Sequence, residues 1–345
     1  MISVPTPRVS VVLPVYNAAA TIGRAVGSIF AQTYAGWELI AVDDGSTDDT
    51  REILRGLARA EPRMKVVAQG HAGVAGAANA GATVARGKFI ARMDADDVSH
   101  PERLGEQVAW LDAAANCDVG VVGCLVGFGG DRVAHAGYAW HVDWVNSLVT
   151  PEAIVLNRFV EAPLANPSVM FRRELVAWHG GYRAGDFPED YELWLRWLDA
   201  GVRMAKVPRE LLIWHDPPTR LTRTDPQYAP EAFFRVKAEW IARELGRSAR
   251  GREVWVWGAG RATRKRAAHL AVHGVQISGY IDVDPKKTGR GLGGTGLPVL
   301  APAGLPAPGE IFVLGYVASR GAREYNRREL RVRGYLEGRD FLMCA

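Results

Sequence analysis

The stretch Lys88-Phe89-Ile90-Ala91-Arg92-Met93-Asp94-Ala95-Asp96-Asp97 decides how this chain is read. A short run of strand character passes directly into three aspartates within four positions. Carboxylates this close repel, and a fold tolerates them when positive charge sits among them. A hard divalent cation bound by carboxylate oxygens is the usual source of that charge. At the carboxyl end of a strand, such a cluster faces the crevice where open α/β sheets bind ligands. Working outward, Asp43-Asp44 follows another apolar run over residues 38–42, and Glu189-Asp190 opens a helical pattern. Each group alone reads as a solvated turn or a helix N-cap, where Asp is common. Three of them at three element boundaries point to one catalytic crevice.

The surrounding pattern fixes the fold class. Residues 9–15 form a continuous apolar run, and 19–31 carry apolar residues at helical spacing (Ile22, Val26, Ile29, Phe30). Strand patterns follow at 37–42, 65–68 and 88–92, with helical patterns at 47–60 and 74–85 between them. Such alternation predicts a mostly parallel sheet with helices on both faces. Pro101 opens a further helix to residue 114, residues 119–124 are a strand, and 189–200 a short helix. Residues 125–150, rich in Gly, His and Trp, carry no clear period.

Hydrophobic residues make up 48% of the 345, ample for sizeable cores. The apolar runs are short and strand-like, so no membrane span is expected. The amino terminus carries no secretory pattern, and the three cysteines (Cys117, Cys124, Cys344) have no metal-ligand spacing, which fits a reduced, cytoplasmic protein. Abundant Ala, Gly and Arg look like coding bias. Charge is uneven: residues 246–345 hold 17 Lys+Arg against 8 Asp+Glu, while residues 1–245 hold 25 against 30. The asymmetry places an expected domain boundary near residue 246, giving domains 1–245 and 246–345. The basic end leaves room for a peripheral contact with an anionic membrane face, although ordinary Arg-rich surface explains it too. Nucleic acid is excluded as a partner, because no binding motif or aromatic platform accompanies the basic residues.

Four motifs, in order, carry a family resemblance. They are Leu13-Pro14-Val15-Tyr16-Asn17; Ala41-Val42-Asp43-Asp44-Gly45-Ser46-Thr47-Asp48-Asp49-Thr50; Asp94-Ala95-Asp96; and Gly180-Gly181-Tyr182-Arg183 with Phe187-Pro188-Glu189-Asp190-Tyr191-Glu192-Leu193-Trp194-Leu195-Arg196. Together they resemble the family-two glycosyltransferases of cell-wall, capsule and lipopolysaccharide synthesis, over residues 8–215. The segment 73–87 is similar to the helix before the family's metal motif, with Asn79 at its usual Asn. The resemblance implies a GT-A fold, a UDP- or dTDP-sugar donor, and Mn²⁺ or Mg²⁺. It also implies inverting transfer to a hydroxyl of a saccharide or lipid-linked acceptor, as a hexosyl- or N-acetylhexosaminyl-transferase.

The same resemblance distributes roles. Asp96 is the expected metal ligand, with His215 as a further candidate; Asp97 either stands behind the metal ligands or, the preferred reading, caps a helix. Asp94 is assigned to the ribose or to supporting the metal. Asp43 is expected to accept the imide N–H of a uracil or thymine ring. Pro14, Tyr16, Asn17 and Asn79 complete the nucleotide side, and Arg223, with Arg220 in a lid over residues 216–229, is placed to clamp the diphosphate. Several relatives carry an Arg beside the helix Asn; here Ala78 stands there, with Arg92 as a substitute. Asp190 is the expected general base, since a sugar hydroxyl is weakly acidic and needs its proton removed as the bond forms. Glu189 is expected to hydrogen-bond acceptor hydroxyls.

Beyond residue 246, the strand 254–257 precedes Gly258-Ala259-Gly260, a helix, and the strand 277–281 ending at Asp282. Gly258, Gly260 and Asp282 resemble a Rossmann fingerprint with Thr263 at the third glycine. A smaller Rossmann-like α/β domain with a scaffolding role is therefore expected. Its alternatives are a second nucleotide site there, serving a dinucleotide-dependent oxidoreductase, or a catalytically inactive nucleotide-sugar-binding regulatory or assembly protein. A homo-oligomer is compatible with all of these.

Overall fold

A computed structural model describes residues 6–217, 220–289, 291 and 296–345. In chain order its first part runs β1 (Val9–Val15), α1 (Ile22–Phe30), β2 (Trp37–Asp43), α2 (Thr50–Ala60), β3 (Met64–Ala68), α3 (Gly73–Val84), β4 (Phe89–Arg92) and β5 (Val98–Ser99). It continues with α4 (Arg103–Asp112), β6 (Val119–Gly129), α5 (Ala136–Ser147), α6 (Pro151–Asn157), β7 (Met170–Arg172), α7 (Glu174–His179), α8 (Glu189–Asp199), β8 (Arg203–His215) and α9 (Leu221–Thr224). Then follow α10 (Pro230–Ser248), β9 (Glu253–Trp257), α11 (Arg261–Ala267), β10 (Ile277–Ile281), β11 (Val299–Leu300), β12 (Ile311–Gly315), α12 (Ala322–Val332) and β13 (Phe341–Met343). No helix among the described residues is long and apolar enough to cross a membrane.

Two compact units emerge. The first takes its described residues from Met1–Ile154, Pro163–Gly185 and Glu192–Thr224, the second from Val155–Ala162, Asp186–Tyr191 and Asp225–Ala345. This division differs from a boundary at residue 246. Helix α10 groups with the second unit, where Phe234, Ala238, Ile241 and Leu245 are buried along it.

The first unit is built on one sheet of order β3-β2-β1-β4-β7-β6-β8-β5. Strands β3, β2, β1 and β4 are parallel, as the alternation predicts. Strand β7 enters antiparallel between β4 and β6, so the mixed half lies beyond the acidic turn. Every residue of β1 and of β2 is buried, the mark of strands covered by helices on both faces. Helix α3 achieves its close approach through small residues. A Cβ at Gly81 would come within 2.5 Å of Val12 Cγ1, and Ala75, Ala77 and Ala78 are buried beside it. The Ala and Gly content of this helix is therefore a packing requirement and not coding bias.

The segment 125–150 resolves into the end of β6 and helix α5. Its period was illegible because the exposed Trp140 interrupts a buried face of Ala139, Val142 and Val145. The second unit holds a five-stranded, all-parallel sheet of order β11-β10-β9-β12-β13. Strand order reverses between β9 and β12, the arrangement of a doubly wound sheet.

Candidate active site

The acidic run turns between β4 and β5, at the carboxyl end of a central parallel strand. Arg92, buried at the strand's last position, donates from Nη2 to Asp94 Oδ1 at 2.9 Å and from Nη1 to the Val12 carbonyl at 3.1 Å. It thus supplies a buried cation against the acidic turn in a chain with Ala78 on α3. Burial and repulsion by Asp94 push the Asp96 carboxyl up to about 6. Asp97 is 1% exposed. Burial, then Asp94 and Asp96, raise its carboxyl well above the ordinary carboxylate range. Its Oδ1 accepts the His215 main-chain N–H at 2.8 Å, and its Oδ2 is buried with no hydrogen-bond partner among the described residues. Asp97 is therefore not a helix cap. Strand β5 follows it, α4 starts only at Arg103, and its carboxylate ties the acidic turn to the end of β8.

His215 closes β8 with Nδ1 buried, unpartnered among the described residues, and 4.0 Å from Asp97 Oδ1. Burial, and then the charge of Arg24, hold the imidazole below its ordinary value, so it stays neutral. Beyond β8, Arg220 lies over the rings of Trp214 (4.5 Å) and Tyr138 (4.6 Å) and donates to the Tyr138 hydroxyl. Its charge lowers both Asp96 and Asp97, which places it electrostatically at the acidic turn. Arg223, the residue expected to clamp the diphosphate, is instead engaged by buried Asp216, with Nε 3.1 Å from Oδ1 and Nη2 on Oδ2. Sequence gave no means of telling these two guanidinium groups apart.

At β1, Pro14 lies inside the strand, in register with Val42. The Val12 carbonyl accepts from Met93 N–H, so even-numbered β1 residues turn toward β4. The β1–β4 ladder has ended by Pro14, and its missing N–H leaves no bond unmade. Tyr16 is 46% exposed, with its ring 4.3 Å from that of His71. Asn17, at φ +47°, accepts Thr47 N–H at 2.8 Å and braces the loop after β2. Asn79 bonds at both amide ends to the Tyr182 main chain, 2.8 and 2.9 Å, which ties α3 to the segment after the Gly180-Gly181 turn.

The two aspartates after β2 diverge. Asp44 accepts Ala72 N–H and Gly73 N–H, both at 2.9 Å, at the start of α3. Asp43 is 0% exposed, with Oδ1 taking Ser46 N–H at 3.0 Å and Oδ2 taking Arg51 Nε–H at 2.5 Å. Burial opposes its ionisation, but those hydrogen bonds and the Arg51 charge prevail and hold it below the ordinary range. Direct acceptance of a base imide at Asp43 is therefore blocked by Arg51.

Helix α8 begins at the Glu-Asp pair. Glu189, 5% exposed, accepts from Tyr228 Oη–H at 2.7 Å and Gln227 Nε2–H at 3.1 Å. It is a buried anchor for the turn at 226–228. Asp190 is half-buried, and its Oδ1 accepts Tyr191 N–H at 2.7 Å. In the second unit, Gly258 (φ +115°) is closed in: a Cβ there would meet Val317 at 2.7 Å and Thr263 at 3.0 Å. Asp282 accepts Ala259 N–H, Asp284 N–H and Lys287 Nζ–H, so its oxygens are taken. Gly260 is the residue before α11, which is only seven residues long. The oxygens of Asp282 and the space beside Gly258 are thus taken by the chain's own groups.

Sequence comparison agrees with this geometry. The profile described as "Glycosyl transferase family 2" matches residues 10–176. EpsE of Bacillus subtilis strain 168, a glycosyltransferase by name, is 32% identical over 206 residues, 57% of this chain and 69% of EpsE. The chain belongs to glycosyl transferase family 2. Among its relatives in that family is the Escherichia coli enzyme WfgD, named UDP-Glc:alpha-D-GlcNAc-diphosphoundecaprenol beta-1,3-glucosyltransferase. WfgD is 39% identical over 104 residues, 30% of this chain and 40% of WfgD. The structure of TarS residues 1–349 from S. aureus superposes with a TM-score of 0.52 at 18% identity, covering 76% of this chain and 70% of that one. That likeness establishes the GT-A-type fold, with its large curled sheet.

Proposed function

We propose that this family 2 chain transfers a hexosyl or N-acetylhexosaminyl group from a UDP- or dTDP-sugar to a hydroxyl of a growing cell-surface or lipid-linked saccharide, with inversion. The observation that carries the reading is the acidic turn, where the buried Asp97 Oδ2 has no partner among the described residues and Asp96 is destabilised as an anion. The nearby Arg92 and Arg220 charges leave the Asp96 carboxyl still raised, and the donors of the turn are the oxygens, with one imidazole, that Mn²⁺ or Mg²⁺ accepts. No cluster of three His, Cys, Asp or Glu converges among the described residues. Asp96 would hold such an ion, with His215 as a second donor. When bound, the ion offsets charge on the departing diphosphate.

The chain's own residues do the rest. Arg220 adds a planar donor to the phosphates, Tyr16 offers an exposed ring, and Asp94, fixed by Arg92, supports the ribose side. Asp190 accepts the acceptor hydroxyl proton as the hydroxyl oxygen attacks the anomeric carbon. A single displacement of this kind inverts the anomeric configuration. The donors named or seen for relatives support the choice: WfgD is named for UDP-Glc, and TarS has been solved with UDP-GlcNAc. A donor screen by nucleotide release, with lipid-linked acceptors and with Mn²⁺, Mg²⁺ or chelator, tests the proposal. Release from at least one UDP- or dTDP-sugar, abolished by chelation, is expected. Release from none, or undiminished release in chelator, would contradict it.

A further inference from the structure

We infer that Arg51, and not Asp43, reads the nucleotide base, donating to the 4-carbonyl of a uracil or thymine ring while Asp43 anchors it from behind. This deepens the nucleotide-sugar reading above and rests on it. Asp43 is fully covered, and both carboxylate oxygens are bonded within the chain. No ligand N–H reaches it while Arg51 is in place. The Arg51 side chain is 39% exposed and spends only Nε on Asp43. No other hydrogen bond or ion pair engages it among the described residues. A guanidinium carries five N–H donors in a rigid plane, so four remain, and the buried carboxylate fixes their direction.

Position in the sheet distinguishes base from phosphate. Arg51 sits in the first turn of α2, just past the carboxyl end of β2. The order β2-β1-β4 separates that end from the acidic turn after β4 by two strand spacings, about 9–10 Å. With the diphosphate at the acidic turn, a group two strands away lies at the base end of the nucleotide. A pyrimidine's 2-carbonyl flanks the glycosidic bond, whereas the 4-carbonyl lies on the edge farthest from the ribose. Donors at the far rim therefore meet the 4-position. Uracil and thymine present an acceptor there, but cytosine presents an amino donor, which would oppose the Arg51 N–H groups and leave them unpaired.

Calorimetric titration of UDP and CDP into the full chain, with Mn²⁺ present, tests the assignment using wild type, Arg51→Ala and Arg51→Lys. Wild type should favour UDP over CDP by about tenfold or more. Arg51→Ala should lower UDP affinity by about tenfold and leave CDP within about twofold, so the preference collapses. Arg51→Lys keeps a donor without the fork and should recover part of the preference, a recovery that a merely structural role would not give. An unchanged UDP/CDP ratio in Arg51→Ala overturns the inference, as does equal loss for both nucleotides, which would mark a phosphate or folding role. Wild type binding neither UDP nor, in a parallel titration, dTDP would defeat the donor reading itself, and the inference with it.

Discussion

Asp97→Asn should stabilise the metal-free protein and make it less responsive to metal. The carboxylate is 1% exposed, its Oδ1 holds the His215 N–H at 2.8 Å, and its Oδ2 has no partner among the described residues. Asparagine keeps the Oδ1 acceptor and replaces Oδ2 with an amide that donates toward the neighbouring acidic groups. Relief of an uncompensated buried charge is worth about 3–5 kcal/mol at most. Proton uptake by wild type already relieves part of it, and an imperfectly bonded amide costs about 1 kcal/mol. A net gain of about 1–3 kcal/mol remains, or a few degrees in melting temperature. Denaturant unfolding in chelator should give the variant the higher midpoint. Adding Mn²⁺ and UDP should then raise the wild-type midpoint by more than the variant's. A variant less stable than wild type in chelator would mean that the Asp97 charge is compensated although its Oδ2 has no hydrogen-bond partner among the described residues.

Asp190→Asn should leave UDP binding intact and lower transfer by about a hundredfold or more, measured by paired nucleotide titration and product formation. Near-wild-type transfer would make Asp190 a helix-start residue only. Tyr228→Phe removes the 2.7 Å bond to buried Glu189. It should cost about 1–3 kcal/mol in unfolding free energy and lower transfer without changing UDP affinity, and loss of UDP affinity would assign the 226–228 turn to the nucleotide instead. Lys206, buried in β8 with its ammonium on the Val145 carbonyl, is pushed down to about 7 by burial. Between about pH 7 and 10 the unfolded chain therefore holds a proton the folded chain lacks, so this group makes stability rise with pH across that window. Lys206→Met should be more stable than wild type by roughly 2–4 kcal/mol at pH 7, with the advantage shrinking toward pH 10. A pH-independent difference would refute the shift.

The parallel half of the sheet was legible because β1, β2 and β4 are buried throughout and read as short, mainly apolar runs. The acidic turn was legible because three carboxylates in four positions have few structural explanations. What sequence could not supply was pairing. Arg51 on Asp43, Arg92 on Asp94, and Tyr228 with Gln227 on Glu189 are contacts between segments or across turns, and no spacing encodes them. Arg220 and Arg223 are three residues apart and equally plausible as phosphate ligands. Only the buried Asp216 decides that Arg223 is taken. The Asp97 error had the same origin, because Asp before Pro101 and a helical pattern reads as a cap until strand β5 is seen between them.

An acidic turn that binds a divalent ion together with a nucleoside diphosphate couples the two ligands thermodynamically. Calorimetric titration of Mn²⁺ into the full chain, with and without saturating UDP, measures it directly. Weak Mn²⁺ binding alone, clearly tighter binding with UDP present, and loss of that enhancement in Asp96→Asn are expected. Mn²⁺ binding that UDP does not strengthen, or that survives Asp96→Asn unchanged, would contradict the coupling.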